Sequence, residues 1–162
     1  MKRHRCTSIV AAGVLSAGAL LGMVGAAGAA VPAKKTTACK ALGKAQVEAY
    51  TSLTASSDGK EPAFGGETAC KWILNDGEQT VRVWVDQTKG ASGKFNENKN
   101  ATTDEVAVPE LGAKAFFSGS GNTVNYLKGK TLVQVQYLAS ERTPEEQQAG
   151  AVALAKTAMS RA

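Results

Sequence analysis

The chain reads as an α+β protein: an antiparallel sheet of about five strands, with N-terminal and C-terminal helices packed on one face. Three observations predict it. Val81, Val83 and Val85 alternate with Arg82, Trp84 and Asp86, the period-two pattern of a strand with one buried face. Alternating stretches at 69–87 and 123–138 each fold back through a glycine-containing turn, which makes them hairpins. A capped, small-residue helical pattern closes the chain. Strands paired in the middle with helices at both ends give segregated α and β layers.

The first element is an export signal over residues 1–30. Lys2, Arg3 and Arg5 form a basic start, and Ile9–Val24 is an apolar centre. Ala27-Gly28-Ala29-Ala30 offers the small residues that signal peptidase cleaves after, at Ala29 or Ala30. The alternative, an uncleaved membrane anchor, is weakened by the Ala/Gly richness of the stretch. Removing the signal takes three of the 19 basic residues and none of the 14 acids, so 16 basic against 14 acidic leaves a net charge of +2. Most of the basic excess is therefore targeting, and nucleic acid is not an expected partner. The single histidine, His4, leaves as well, which excludes a Ser–His or Cys–His pair and a His-ligated zinc. No cofactor, metal site or catalytic residue is implied. A secreted monomer without a stable membrane anchor is the expectation, in the medium or the cell envelope.

Val31–Ala38 reads as a flexible tail, and 39–162 as one domain. Of three cysteines, Cys6 goes with the signal. Cys39 and Cys70 remain, and in an oxidising compartment they are expected to pair. The alternative is two free buried thiols. A lipid on Cys39 is disfavoured because Lys34-Lys35-Thr36-Thr37-Ala38 is no apolar lipobox.

Cys39–Leu42 suggests one helical turn, and Lys44–Leu53 a helix with Val47, Tyr50 and either Leu53 or Thr54 on one side. Ser56–Thr68 has loop composition. Ala69–Leu74 and Thr80–Gln87 form the first hairpin around Asp76-Gly77. Ala91–Thr103 is polar with Phe95 as its one large apolar anchor, room for a short helix. Val106–Pro109 and Ala113–Phe117 flank Glu110-Leu111-Gly112. Thr123–Leu127 and Thr131–Leu138 form the second hairpin, with Gln134 and Gln136 on alternate positions. Those glutamines require one dry face and one at least partly wet. Thr143-Pro144-Glu145-Glu146 supplies cap, proline at the first helical position and glutamate at the third. Ala151, Val152, Leu154, Ala155, Ala158 and Met159 then make an apolar stripe.

Motifs that carry chemistry fail on context. Gly129-Lys130-Thr131 lacks the first glycine of a phosphate loop, since position 124 is Val124, and a strand follows it. Gly119-Ser120-Gly121 reads as a turn. Of the acidic pairs, Glu145-Glu146 is accounted for by the helix cap and dipole and Asp104-Glu105 lies in a polar connector, so a hydrolase that uses carboxylates alone is the lesser alternative, needing acids brought together in three dimensions. The surface candidate is a patch of Arg82, Trp84, Gln134 and Gln136, with an indole among hydrogen-bonding groups. The competing expectation is that a helix or loop covers Trp84. An apolar space between sheet and helices is a second candidate, although the small alanines of the last helix point to close packing there.

The order of elements from Cys39 onward resembles a family of exported actinobacterial proteins of unknown function, many of them lipoproteins. The likeness lies in Cys39-x-x-Leu42, Cys70-Lys71-Trp72, Val81-x-Val83-x-Val85 and Val108-x-x-Leu111-Gly112-x-Lys114-Ala115-Phe116, then the hairpin around Leu127-Lys128-Gly129 and a closing helix. It implies a Cys39–Cys70 disulfide and a sheet-plus-helix sandwich of the Mog1/PsbP type, with no catalytic residues to carry over. The functional expectation is a secreted, non-enzymatic domain that binds a protein or a small ligand. Inhibition of a hydrolase through an inserting Ser56–Thr68 loop is the alternative.

Overall fold

The structure, a computed structural model, describes residues 36–56, 59–62 and 65–162. The expected signal segment and the expected cleavage positions Ala29 and Ala30 lie outside them. The elements are α1 (Ala38–Ala41), α2 (Lys44–Thr51), β1 (Lys60–Glu61), β2 (Thr68–Leu74), β3 (Gln79–Asp86), α3 (Ala91–Ala101), β4 (Glu105–Ala107), β5 (Ala115–Ser118), β6 (Thr123–Lys128), β7 (Thr131–Ala139) and α4 (Pro144–Met159). The strands form one antiparallel sheet in the order β1-β2-β3-β7-β6-β5-β4. The sheet therefore has seven strands where the sequence suggests about five. The two extra strands are its edges, β1 with two residues and β4 with three, too short to show an alternating pattern.

The alternation in β3 and β7 divides the sheet as expected. On the dry face Val81, Val83 and Val85 meet Tyr137, Val135 and Val133 across the β3–β7 register, and all six are buried. Cys70, Trp72 and Leu74 of β2 and Val124 and Tyr126 of β6 extend this layer, and α1, α2 and α4 pack on it. The closing helix begins as its capping box requires: Glu146 N–H donates to Thr143 Oγ1 at 3.3 Å, and Thr143 N–H to Glu146 Oε2 at 2.9 Å, an arrangement worth about 1 kcal/mol. Its buried side is Gly150, Ala151, Val152, Leu154, Ala155 and Ala158. Small residues let the helix approach closely, most of all at Gly150, where an added Cβ would sit 2.3 Å from the Tyr137 ring.

The Cys39–Cys70 disulfide is present, joining α1 to β2 across a sequence separation of 31. Ala38, placed in the tail by its sequence context, is the first residue of α1 and fully buried. Three further bonds hold this corner. Ala38 N–H donates to Thr68 Oγ1 at 2.8 Å, Trp72 Nε1 to the Leu42 carbonyl at 3.3 Å, and Lys71 N–H to the Gly59 carbonyl at 2.6 Å. Gly59 has φ +85°, and a side chain there would collide with Trp72 and with Cys70 Sγ, so only glycine fits. The stretch read as a loop thus contributes a pinned edge. In α2 only Val47 is buried, and Tyr50, expected beside it, stays 44 % exposed.

The other face differs. The chain leaves β3 near the middle of the sheet and re-enters at the far edge as β4, so it must cross β7, β6 and β5. Helix α3 makes that crossing. It packs Ala91 and Phe95 on Phe116 and Leu132, with Leu127 alongside, and the Phe95 and Phe116 rings meet edge to face at 5.4 Å and 63°. Lys94 bonds Glu67 at one end of the helix, and Lys99 pairs with Glu105 at 3.1 Å near the other.

Candidate functional site

Helix α3 covers only the β5–β7 side of its face. The β2–β3–β7 side presents three cross-strand rows: Ile73–Thr80–Leu138, Lys71–Arg82–Gln136 and Ala69–Trp84–Gln134. The four residues singled out by sequence are therefore brought together. Arg82 lies opposite Gln136 and Trp84 opposite Gln134, on adjacent rows of one face. Trp84 is half-buried, neither sealed under a helix nor free. Asp86, on the same alternation, does not join them; it is buried and accepts the Thr88 N–H at 2.8 Å.

The amides of this patch are oriented by bonds behind it. Gln134 Nε2 donates to Asn125 Oδ1 at 2.9 Å, and Asn98 of α3 donates to the same oxygen at 3.2 Å. Gln136 Nε2 donates to the Gly121 carbonyl at 2.8 Å. Each glutamine thus ties one of its two N–H donors within the protein. Arg82 reaches Glu61 of β1 at 3.6 Å, a partly exposed pair worth less than about 1 kcal/mol. Two buried polar atoms here lack hydrogen-bond partners, Arg82 Nε and Gln136 Oε1. They belong to residues directly opposite each other in the register. A buried donor or acceptor left without a partner costs about 1–3 kcal/mol, and such groups call for an explanation.

Sequence reading did not select Asn125 or Glu61. Asn125 could have been found: the turn at Gly129-Lys130 pairs Lys128 with Thr131, and that register puts Asn125 opposite Gln134. Glu61 could not, because the pairing of β1 depends on contacts around Gly59 and the disulfide.

The remaining candidates take structural places. Asp104 bonds the Ser120 N–H and fastens the β5–β6 turn, while Glu105 is held by Lys99. Glu146 caps α4, and Arg142 lies 3.4 Å from it. Lys128 and Thr131 close a hairpin around Gly129 at φ +61°, a turn rather than a phosphate cradle. The space between sheet and helices is filled, with Val124, Leu154, Ala155 and Ala158 fully buried. A surface cleft of about 340 Å³ lies beside the disulfide, bordered by Thr37, Cys39, Glu61 and Thr68. Deep in the dry face, burial pushes the Tyr126 phenol well above its usual range, and its hydroxyl has no partner. Tyr137 is also raised by burial, partly offset by Arg142, and donates to Gln79 Oε1 at 2.7 Å.

No protein-family model, curated protein or solved structure matches the chain. The disulfide is the chemistry of an oxidising environment. Among the described residues no helix is long and apolar enough to cross a membrane.

Proposed function

We propose that the protein is an exported, disulfide-stapled, non-enzymatic binding domain whose recognition surface is the open part of the sheet, centred on Trp84 with Arg82, Gln134 and Gln136. One observation carries the reading. On a single sheet face, the aromatic and aliphatic half is covered by α3, while among the described residues no helix covers the half bearing an indole, a guanidinium and two oriented amides, whose four residues are partly exposed. Tryptophan and arginine framed by polar groups are the composition of binding hot spots.

The test is binding of the labelled chain to isolated envelopes of its host. Trp84→Ala combined with Arg82→Ala should weaken binding at least tenfold. Gln148→Ala, on the outer side of α4, should leave it unchanged. Equal loss from both changes, or no loss from the first, would overturn the reading. Export has its own check. The mass of the protein recovered from the host medium should lack residues 1–29 or 1–30 and be two hydrogens short of the reduced chain.

A further inference from the structure

We infer that the end of the sheet where β6 turns into β7 docks on an anionic lipid surface through Lys89, Lys114, Lys130 and Arg161, by reversible charge contact and without insertion. This is a second surface, separate from the sheet face, and it stands without the reading given to that face.

The first observation is where uncompensated positive charge collects. Lys44, Arg82, Lys94, Lys99, Arg142 and Lys156 each pair with a carboxylate. Lys89, Lys114, Lys130 and Arg161 have no such partner among the described residues, and all four are exposed. They share one end of the sheet. Lys130 is in the turn between Lys128 and Thr131, and the Leu127 N–H donates to the Lys114 carbonyl at 2.9 Å. Lys128 Nζ donates to the Met159 and Ala162 backbone oxygens at 3.1 and 3.3 Å, which fastens the chain around Arg161 to the same turn. Strand β3 ends at Asp86, opposite Leu132, and Lys89 follows three residues later. The acids here are already engaged: Glu67 by Lys94, Glu110 by Lys156, and buried Asp86 by the Thr88 N–H. Residues 1–35 contain no acid, and Asp58, the one acid outside the described residues, adjoins Gly59 in sequence, which bonds Lys71 on the outer edge of β2.

The second is the opposite end. Acids without a cation partner gather there: Glu78 after the β2–β3 turn, Asp104 on the β5–β6 turn, and Glu141 and Glu145 between β7 and the first turn of α4. Glu97, on α3, lies between the two ends. The nine residues of β7 span the distance from one end to the other, about 27 Å. A chain with little net charge thus carries a strong separation of charge. An anionic plane attracts one end and repels the other, so the molecule meets it end-on.

The third is how the cations are carried. Each comes from a different connection: β3 to α3, the approach to β5, the β6–β7 turn, and the residues after α4. They cap an end and do not run along one strand or helix. A linear single-stranded polyanion is tracked by a row of cations interleaved with aromatic rings, and residues 87–90, 112–114, 128–131 and 160–162 hold no aromatic or large aliphatic side chain. For the same reason nothing there enters hydrocarbon. Three of the four are lysines, compact point charges that suit a smeared negative surface better than one bidentate phosphate. The contact is therefore electrostatic and screened by salt.

The experiment is co-sedimentation of the protein recovered from the host medium with vesicles, either phosphatidylcholine alone or equal parts phosphatidylcholine and phosphatidylglycerol. At low salt the protein should bind the anionic vesicles only, and salt at about 0.5 M should release it. Lys114→Gln together with Lys130→Gln should weaken binding about twenty-fivefold, from about fivefold for each lysine. Lys44→Gln together with Lys99→Gln changes the net charge by the same amount away from this end, and should leave binding unchanged. Thermal midpoints of both variants should stay within a few degrees of the parent. Absence of binding to the anionic vesicles, equal binding to the neutral ones, or equal loss in the two double variants overturns the inference. Binding to soluble polyphosphate with none to vesicles also overturns it, in favour of a polymer site. The vesicles test this end alone, so their failure leaves the sheet-face reading standing.

Discussion

Trp72 and Trp84 sit on neighbouring strands of one sheet, yet they are in different solvents. Trp72 points to the dry face, is almost fully buried, and donates its indole N–H to the Leu42 carbonyl. Trp84 points the other way, half-buried, with Arg82, Gln134 and Gln136 around it. The dry face gains from every added apolar contact and is closed by three helices and a disulfide. The other face holds polar groups whose bonding is only partly completed, Arg82 Nε and Gln136 Oε1 among them. The same residue type thus serves packing on one side and, in our reading, recognition on the other.

The sharpest way to break this comparison is to truncate each ring. Trp72→Ala removes a buried ring and orphans a carbonyl, and should cost about 3–5 kcal/mol. Trp84→Ala should cost about 1 kcal/mol, within the ordinary range for a partly exposed site. Urea unfolding of both variants measures the gap, and equal losses would mean that Trp84 is core.

Next in size is the disulfide that joins α1 to β2. Replacing Cys39 and Cys70 by alanine frees a loop of about 30 residues and should lower stability by roughly 3–4 kcal/mol in the chain-entropy model. Ligand binding at the open face should be unchanged wherever the variant remains folded. A parallel loss of binding at temperatures well below its midpoint would show that the two faces are coupled.

The smallest effect is a pH dependence. Burial raises the Tyr126 pKa above the 10.0 of a free phenol, so the fold favours the neutral form. That contribution is whole below pH 10 and is lost as pH rises toward the folded value, at about 1.4 kcal/mol per pH unit per phenol. Tyr126→Phe should flatten the alkaline limb in denaturation curves between pH 9 and 11. It should cost little or nothing at pH 7, because it removes a hydroxyl that has no partner. An unaltered limb would place the ionisation elsewhere.

Much of this was legible in the sequence for reasons that are local. The valines of β3 and the glutamines of β7 announce their faces by alternation, Thr143-Pro144-Glu145-Glu146 announces a helix start, and Cys39 and Cys70, the two cysteines outside the expected signal, allow a single pairing. The four surface residues were legible for the same reason: each is the polar or aromatic half of an alternating strand. What was hidden depends on partners distant along the chain. The edge strands β1 and β4 are too short to carry a pattern and exist only because β2 and β5 offer them an edge. Helix α3 has a single large apolar anchor, Phe95, and its place over Phe116 and Leu132 follows from a strand order in which β7 inserts between β3 and β6.

The sequence by itself therefore determined which side of each long strand is dry, where the closing helix begins and which cysteines join, because these follow from periodicity, capping and counting. Only the tertiary structure decided that Arg82 faces Gln136, that Trp84 faces Gln134, and that α3 stops short of both. Register and crossover are set by long-range pairing, and the extent of a helix's cover is set by how far the chain must travel to reach the next strand.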